Sequence, residues 1–377
     1  TGDYGFYRAY VSKDGKSAEF SKDNVPYQPK HTIKIAKEGS KEGDYVMVLG
    51  YPGRTNRHRL PSEVAFTFDW NYPAFIAASG ETLAIIDRET KTDPAAKLKY
   101  AGQIAGVNNY YKNRKGMLVS YQGSDFLQRK TAEHNALKAW VNADAARKAQ
   151  YGADIEAAEK LIAESDAGTK KGFFLTYSQP KFLSSARTLY RLANERAKPD
   201  TERKTGYQDR DLPRLTSVIE GQDRTYDEKV DKALVLNFLK QYNAQPAAEH
   251  DAAFDAALGI KPGMSEAELK SALDRIYAGS KLASKEERTA WLKKSPAEFK
   301  ASNDSFIKAA VAMYDADMKD EAKGEESAGK IQQAYGNYMK AKIAYMNSRG
   351  QAVYPDANST LRVTFGKIAG RPQGADG

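Results

Sequence analysis

Residue types suited to chemistry are sparse in this sequence. It has four histidines, His31, His58, His134 and His250, and no cysteine. No two histidines stand four apart and no His-Glu-x-x-His run occurs, so a single helix face cannot offer two imidazoles to zinc. The lack of cysteine removes disulfides, thiol nucleophiles and cysteine-ligated metal. Neither a Gly-x-x-x-x-Gly-Lys-Ser/Thr loop nor a Gly-x-Gly-x-x-Gly turn is present, which leaves no common cradle for nucleotide phosphates. A Gly-x-Ser-x-Gly nucleophile elbow is missing too. Ser124, within Gly123-Ser124-Asp125, reads as a helix N-cap. His31 falls in a strand-like stretch and reads as a packed or surface histidine.

Two further features stay open on residue type alone. Asp3, beside Gly2 and ahead of a strand-like stretch, is a turn residue unless a histidine is brought to it. Asn108-Asn109-Tyr110-Tyr111-Lys112-Asn113-Arg114-Lys115 mixes aromatic and basic groups. Such a run can stack on bases and neutralise phosphates. Equally, it forms a helix with its tyrosines packed inward and its lysines outward.

Three zones would have to position these groups. Over 4–53 the pattern alternates with period two: Tyr7, Ala9 and Val11 against Phe6, Arg8 and Tyr10, then His31, Ile33 and Ile35 against Thr32, Lys34 and Ala36. Asp14-Gly15 marks a turn, and Val46–Leu49 is a short β-forming run closed by Gly50-Tyr51-Pro52-Gly53. Strands so few cannot close a core alone. From about 62 to 348 the period is 3.6, with Leu137/Trp140/Val141, Ile155/Ala158/Leu161, Leu183/Ala186/Leu189 and Val230/Ala233/Leu234 at helical spacing. Capping boxes are expected at Thr225/Glu228, Ser265/Glu268, Ser284/Glu287 and Ser295/Glu298, the last with Pro296 at the first helical position. A final helix through Ile331, Tyr335, Tyr338 and Tyr345 should stop near Gly350. Alternation then returns at Leu361, Val363 and Phe365. The net charge is +9, but Lys and Arg alternate with Asp and Glu, as in Asp227–Lys232. Such mixing suits a solvated helix face better than an anion-binding surface. No apolar run approaches the roughly 20 residues of a membrane span, and the start has no signal-peptide pattern.

At this point a resemblance enters. The stretches 1–10, 21–31, 46–55, 109–113, 206–214 and 354–362 resemble, in order, the dipeptidyl peptidase 7/11 family of serine exopeptidases, and the similarity runs along essentially the whole chain. It implies an α+β fold: a large all-α domain inserted into a chymotrypsin-like double β-barrel, of which only parts are present. The expected division is 1–54 for part of the barrel, 55–350 for the helical insertion and 351–377 for a strand returning to the peptidase domain.

The resemblance also implies roles. Asp3 falls on the family's Thr-Gly-Asp motif, whose carboxylate orients the catalytic histidine and stabilises its imidazolium. Asn109 falls on the asparagine that binds the substrate's α-amino group, with Asn108 the alternative should the register differ by one. A side-chain carbonyl can accept from an ammonium. The family's His lies before Thr1 and its Ser, in Gly-Asn-Ser-Gly, after Gly377. The chain therefore reads as an internal fragment, inactive in isolation. The intact enzyme would be a periplasmic or cell-surface homodimer of a Gram-negative bacterium that cuts dipeptides from peptide N-termini without a cofactor. Two rivals stand beside it: a non-catalytic helical module that grips peptide N-termini, and a basic nucleic-acid binder using Tyr110, Tyr111, Lys112 and Arg114. The resemblance argues against any nucleic-acid partner.

Overall fold

The computed structural model describes residues 6–35 and 37–370. It divides into two compact units, Thr1–Thr55 with Asp356–Gly377, and Asn56–Pro355.

The first unit carries β1 (Tyr10–Val11), β2 (Val25–Pro26), β3 (Tyr45–Gly50) and β4 (Arg362–Lys367). They form two antiparallel ribbons, β1 with β2 and β3 with β4. In the second, Met47 faces Phe365 and Leu49 faces Val363. Successive side chains point to opposite faces, yet both faces stay open, with Val48 and Phe365 each 69% exposed. Among the described residues this is ribbon, not a closed barrel. Gly15 does close a turn, with φ of 81° and its N–H donated to the Ser12 carbonyl. Residues 31–35 form no strand despite their alternation. Ile33 and Ile35 are almost fully exposed, so period two finds no neighbour there to pair with.

The second unit is helical. In chain order it holds α1 (Pro61–Ala65), a π-helical turn at Phe66–Asn71, α2 (Tyr72–Thr90), α3 (Pro94–Lys99), α4 (Ala101–Gln122), α5 (Phe126–Asn142) and α6 (Ala145–Tyr177). There follow α7 (Lys181–Glu195), α8 (Leu212–Glu220), α9 (Glu228–Asn243), α10 (Ala252–Leu258), α11 (Glu266–Ala278), α12 (Lys285–Ala290), α13 (Pro296–Lys300) and α14 (Ser305–Ser348).

Side-chain caps set many of the starts. Ser265 and Ser295 make full capping boxes with Glu268 and Glu298, and Pro296 occupies the first turn. Ser284 accepts from the Glu287 N–H, but its hydroxyl turns to Glu286, so that box is half made. Thr225 caps nothing: it ends a 3-10 turn, and α9 starts from Asp227, whose carboxylate accepts from Val230. The shorter acid competes better than a threonine two residues upstream. The N-cap of α5 is Asp125 and not Ser124; Ser124, one residue earlier, accepts from the Phe126 N–H at 3.4 Å. At the far end Gly350 takes φ of 68°, letting Gln351 N–H reach the Met346 carbonyl at 3.0 Å. That left-handed exit suits glycine.

Packing divides the helices between two main cores. One gathers Leu183, Leu189, Leu239, Phe254, Leu273, Phe299 and Phe306 from α7, α9–α11 and α13–α14. The other joins Leu60 to Leu137, Ile155, Ile162, Tyr338 and Ala341 from α5, α6 and α14. A smaller cluster ties Ile86, Tyr100 and Val230. Each fully buried Leu, Ile or Phe contributes roughly 1.5–3 kcal/mol. The helix α14 serves both main cores, its 44 residues giving a rod of ~66 Å.

Candidate functional site

Asp3 lies outside the described residues. Asn109 stands on α4, a helix that packs chiefly on α2 and α3 and has no fully buried residue. The two asparagines of the run differ in what their amides do. Asn108 is half-buried, and its Nδ2 donates to the Ile104 carbonyl at 2.9 Å. That bond ties it to its own helix. Asn109 is exposed, with both carboxamide atoms open to a ligand.

One turn further on, Arg114 lies over the Phe75 ring at 3.3 Å, with Tyr72 at 5.5 Å and Tyr110 at 6.0 Å. The ring quadrupoles hold the guanidinium, and Lys115 similarly rests 5.8 Å from the Tyr111 ring. These cations are thus folded back onto α2 and α4, a poor comb for phosphates. His134 contacts Tyr338 (3.2 Å) and Glu159 (2.7 Å), and His250 contacts Asp255 (2.8 Å). His58 Nε2 meets the Tyr354 carbonyl at 2.8 Å. Each acid–imidazole pair lies within the helical packing, and no serine hydroxyl hydrogen-bonds either ring among the described residues. His31 is exposed in the first unit. No group of three or more metal-ligating side chains occurs among the described residues.

Sequence reasoning missed one carboxylate. Asp231, in the mixed-charge run expected to be a solvated face, is only 9% exposed. Its Oδ2 accepts from the Tyr277 hydroxyl at 2.7 Å and from the Lys181 N–H at 3.3 Å. Burial pushes its carboxyl up to about 6, against the pull of those two donors. The signal was present: Asp231 follows Val230 and precedes Val235 by one turn, on the side of α9 that faces the core. Glu228 and Lys232 do behave as expected and pair at 2.8 Å on the outside.

The stretch 206–214 runs from a hydrogen-bonded turn through a 3-10 turn at Asp209–Asp211 into the start of α8. Gly206 N–H reaches Asp211 at 2.8 Å, and Arg203 bridges Asp209 at 2.7 Å and Asp200 at 3.3 Å. It borders a cavity of about 590 Å³ against α7 and α8.

Comparison with known proteins connects these parts. An Asp/Glu-specific dipeptidyl-peptidase of Shewanella putrefaciens is 36% identical over 371 residues, covering 98% of this chain and 50% of the relative. Dipeptidyl-peptidase 7 of Capnocytophaga gingivalis is 25% identical, covering 99% and 50%. The chain thus spans about half the length of the curated relatives it matches. Among solved structures, Porphyromonas endodontalis DPP11 in complex with the dipeptide Arg-Glu superposes with a TM-score of 0.65 at 24% identity, over 98% of this chain and 52% of that one. That likeness concerns the fold: a mostly helical body with few strands. The pattern defining peptidase S46 matches residues 1–376, and the chain belongs to the peptidase S46 family.

Proposed function

We propose that this chain is part of a serine-type dipeptidyl peptidase that releases dipeptides from the free N-termini of peptides. The observation that carries the reading is 36% identity along 98% of the chain to a dipeptidyl-peptidase. In this mechanism Asp3 accepts Nδ1–H of a catalytic histidine, fixing its tautomer and stabilising the imidazolium as serine attacks the scissile carbonyl. An acyl-enzyme forms and water releases it. Asn109 holds the substrate's ammonium two residues from the cleaved bond, so that chain length from the free end, not sequence alone, selects the bond. Its exposed carboxamide supports that role; Asn108, spent on Ile104, is less able to take it. The open ribbon of β3 and β4 is consistent with strands of a chymotrypsin-like double barrel, since two strands with apolar residues on both faces need further strands to cover them. The division expected from the sequence, 1–54, 55–350 and 351–377, is kept as part of this reading, as are the homodimer and a periplasmic or cell-surface location. Among the described residues no helix is long and apolar enough to cross a membrane.

The test is hydrolysis of Leu-Asp and Leu-Leu coumarylamides, free and N-acetylated, by the polypeptide as its gene encodes it. Asn109→Ala should lower kcat/KM on free substrates by about 10–100-fold, the worth of one hydrogen bond to a charged group. Faster turnover of Leu-Asp would extend the acidic preference of the Shewanella relative to this enzyme. If acetylated and free substrates respond alike to the substitution, Asn109 does not bind the amine.

A further inference from the structure

A cavity of about 530 Å³ lies between α2, α4, α9 and the end of α6. This falls within the range of roughly 300–1,000 Å³ usual for small-ligand sites. Much of its wall is apolar or aromatic: Phe75, Val107, Tyr110, Tyr177, Leu234 and Phe238. Asp231 also lines it. Both hydrogen bonds to this carboxylate end on Oδ2, and none to Oδ1 occurs among the described residues. A carboxylate 9% exposed therefore offers one oxygen to whatever fills the space. The neighbouring ammonium of Lys181 donates to Thr225 Oγ1 at 2.7 Å and attracts Asp231 through space, without a hydrogen bond to Oδ1.

Charge and shape select the ligand. An anion would meet the Asp231 carboxylate and the negative faces of the aromatic rings. A neutral apolar molecule would leave Oδ1 desolvated and unpaired, a costly state. A cation with an apolar body satisfies both the oxygen and the rings of Tyr110, Tyr177 and Phe238, the Phe75 ring being already taken by Arg114 at 3.3 Å. We infer that the cavity between α2, α4, α6 and α9 is a binding site for a small organic ammonium ion bearing an aliphatic or aromatic group, with Asp231 as its counter-ion. The inference does not depend on the role proposed for Asn109.

The experiment titrates 2-phenylethylammonium chloride into the 377-residue chain by calorimetry, with 2-phenylethanol as the neutral isostere. Saturable one-to-one binding of the ammonium is expected, with the alcohol about tenfold weaker or more, as for loss of a charge-assisted hydrogen bond. Asp231→Asn should weaken the ammonium by a similar factor. Gly106 also lines the cavity, and a Cβ there meets nothing within 4 Å, so Gly106→Leu should fill the space and abolish binding with Asp231 intact. Absence of saturation at about 10 mM, a range that would register even millimolar affinity, would overturn the site. So would equal affinity for amine and alcohol. If Asp231→Asn proves unfolded in a thermal melt, Gly106→Leu decides: unchanged affinity in that variant refutes the assignment.

Discussion

At the scale of the residue, two carboxylates have opposite jobs. Asp3, in the proposed mechanism, works by staying charged beside an imidazole. Asp3→Asn should keep the fold and cut kcat by about 10⁴, because the amide selects the wrong tautomer; turnover within a few-fold of the parent would reject the triad role. Asp231 is instead held partly neutral, its carboxyl near 6 against about 3.9 in an unfolded chain. Between those values the folded protein binds the proton and the unfolded chain does not, so stability from this group is full below about pH 4 and is lost as pH rises through about 6. Asp166, raised to about 6 by burial and by Glu63, pulls the same way. Melting curves from pH 4 to 7 should therefore show the parent losing stability relative to Asp231→Asn as pH rises. Parallel curves would mean that the carboxyl titrates normally.

At the scale of the element, much was legible because helices announce themselves locally. The 3.6 period placed Leu183, Ala186 and Leu189 in a core where all three are fully buried, and two of the four expected capping boxes formed completely. Strands were harder: the alternating 31–35 reads as strand as readily as the β-forming run 46–49, but only the latter has a partner, and pairing is a non-local fact. Buried charge was only half legible: helical spacing puts Asp231 on the core side of α9, but which partner meets a buried charge depends on which helix lies opposite. Arg288 is the sharpest case. It is fully buried and donates to the carbonyls of Ile219 (2.8 Å), Leu282 (2.7 Å) and Ala283 (3.2 Å), with Asp223 as its counter-ion. One side chain thereby closes the end of α8 against the start of α12. Arg288→Met keeps much of the volume but strips these acceptors of donors, and should cost about 3 kcal/mol in a urea melt. Arg288→Lys should recover little of it, because an ammonium lacks the planar fork of donors. A loss under 1 kcal/mol for the methionine variant would mean that water replaces the guanidinium at low cost.

At the scale of the whole molecule, the two units differ in what can hold them together. Outside residues 56–355, Ala357 is the one buried residue among those described. All the clustered apolar packing belongs to the helical unit. The helical unit also fastens its own two ends: His58 Nε2 meets the Tyr354 carbonyl at 2.8 Å, Arg57 lies 5.1 Å from the Tyr354 ring, and Lys130 from α5 donates to the Arg57 carbonyl at 2.6 Å. These contacts bring the two chain ends of the helical unit together. Residues 56–355 expressed alone should therefore fold, with a melting temperature within roughly 2 °C of the full chain's, the low end of the shift that 1 kcal/mol produces in a domain of about 150–250 residues. Tyr354→Ala should lower that temperature in the excised unit as well as in the whole chain, since the Tyr354 carbonyl and ring meet His58 and Arg57 of the same unit. If the excised unit instead lacks a cooperative transition, the ribbons supply stability that their exposed side chains do not account for, and the helical unit is not an independent folding body.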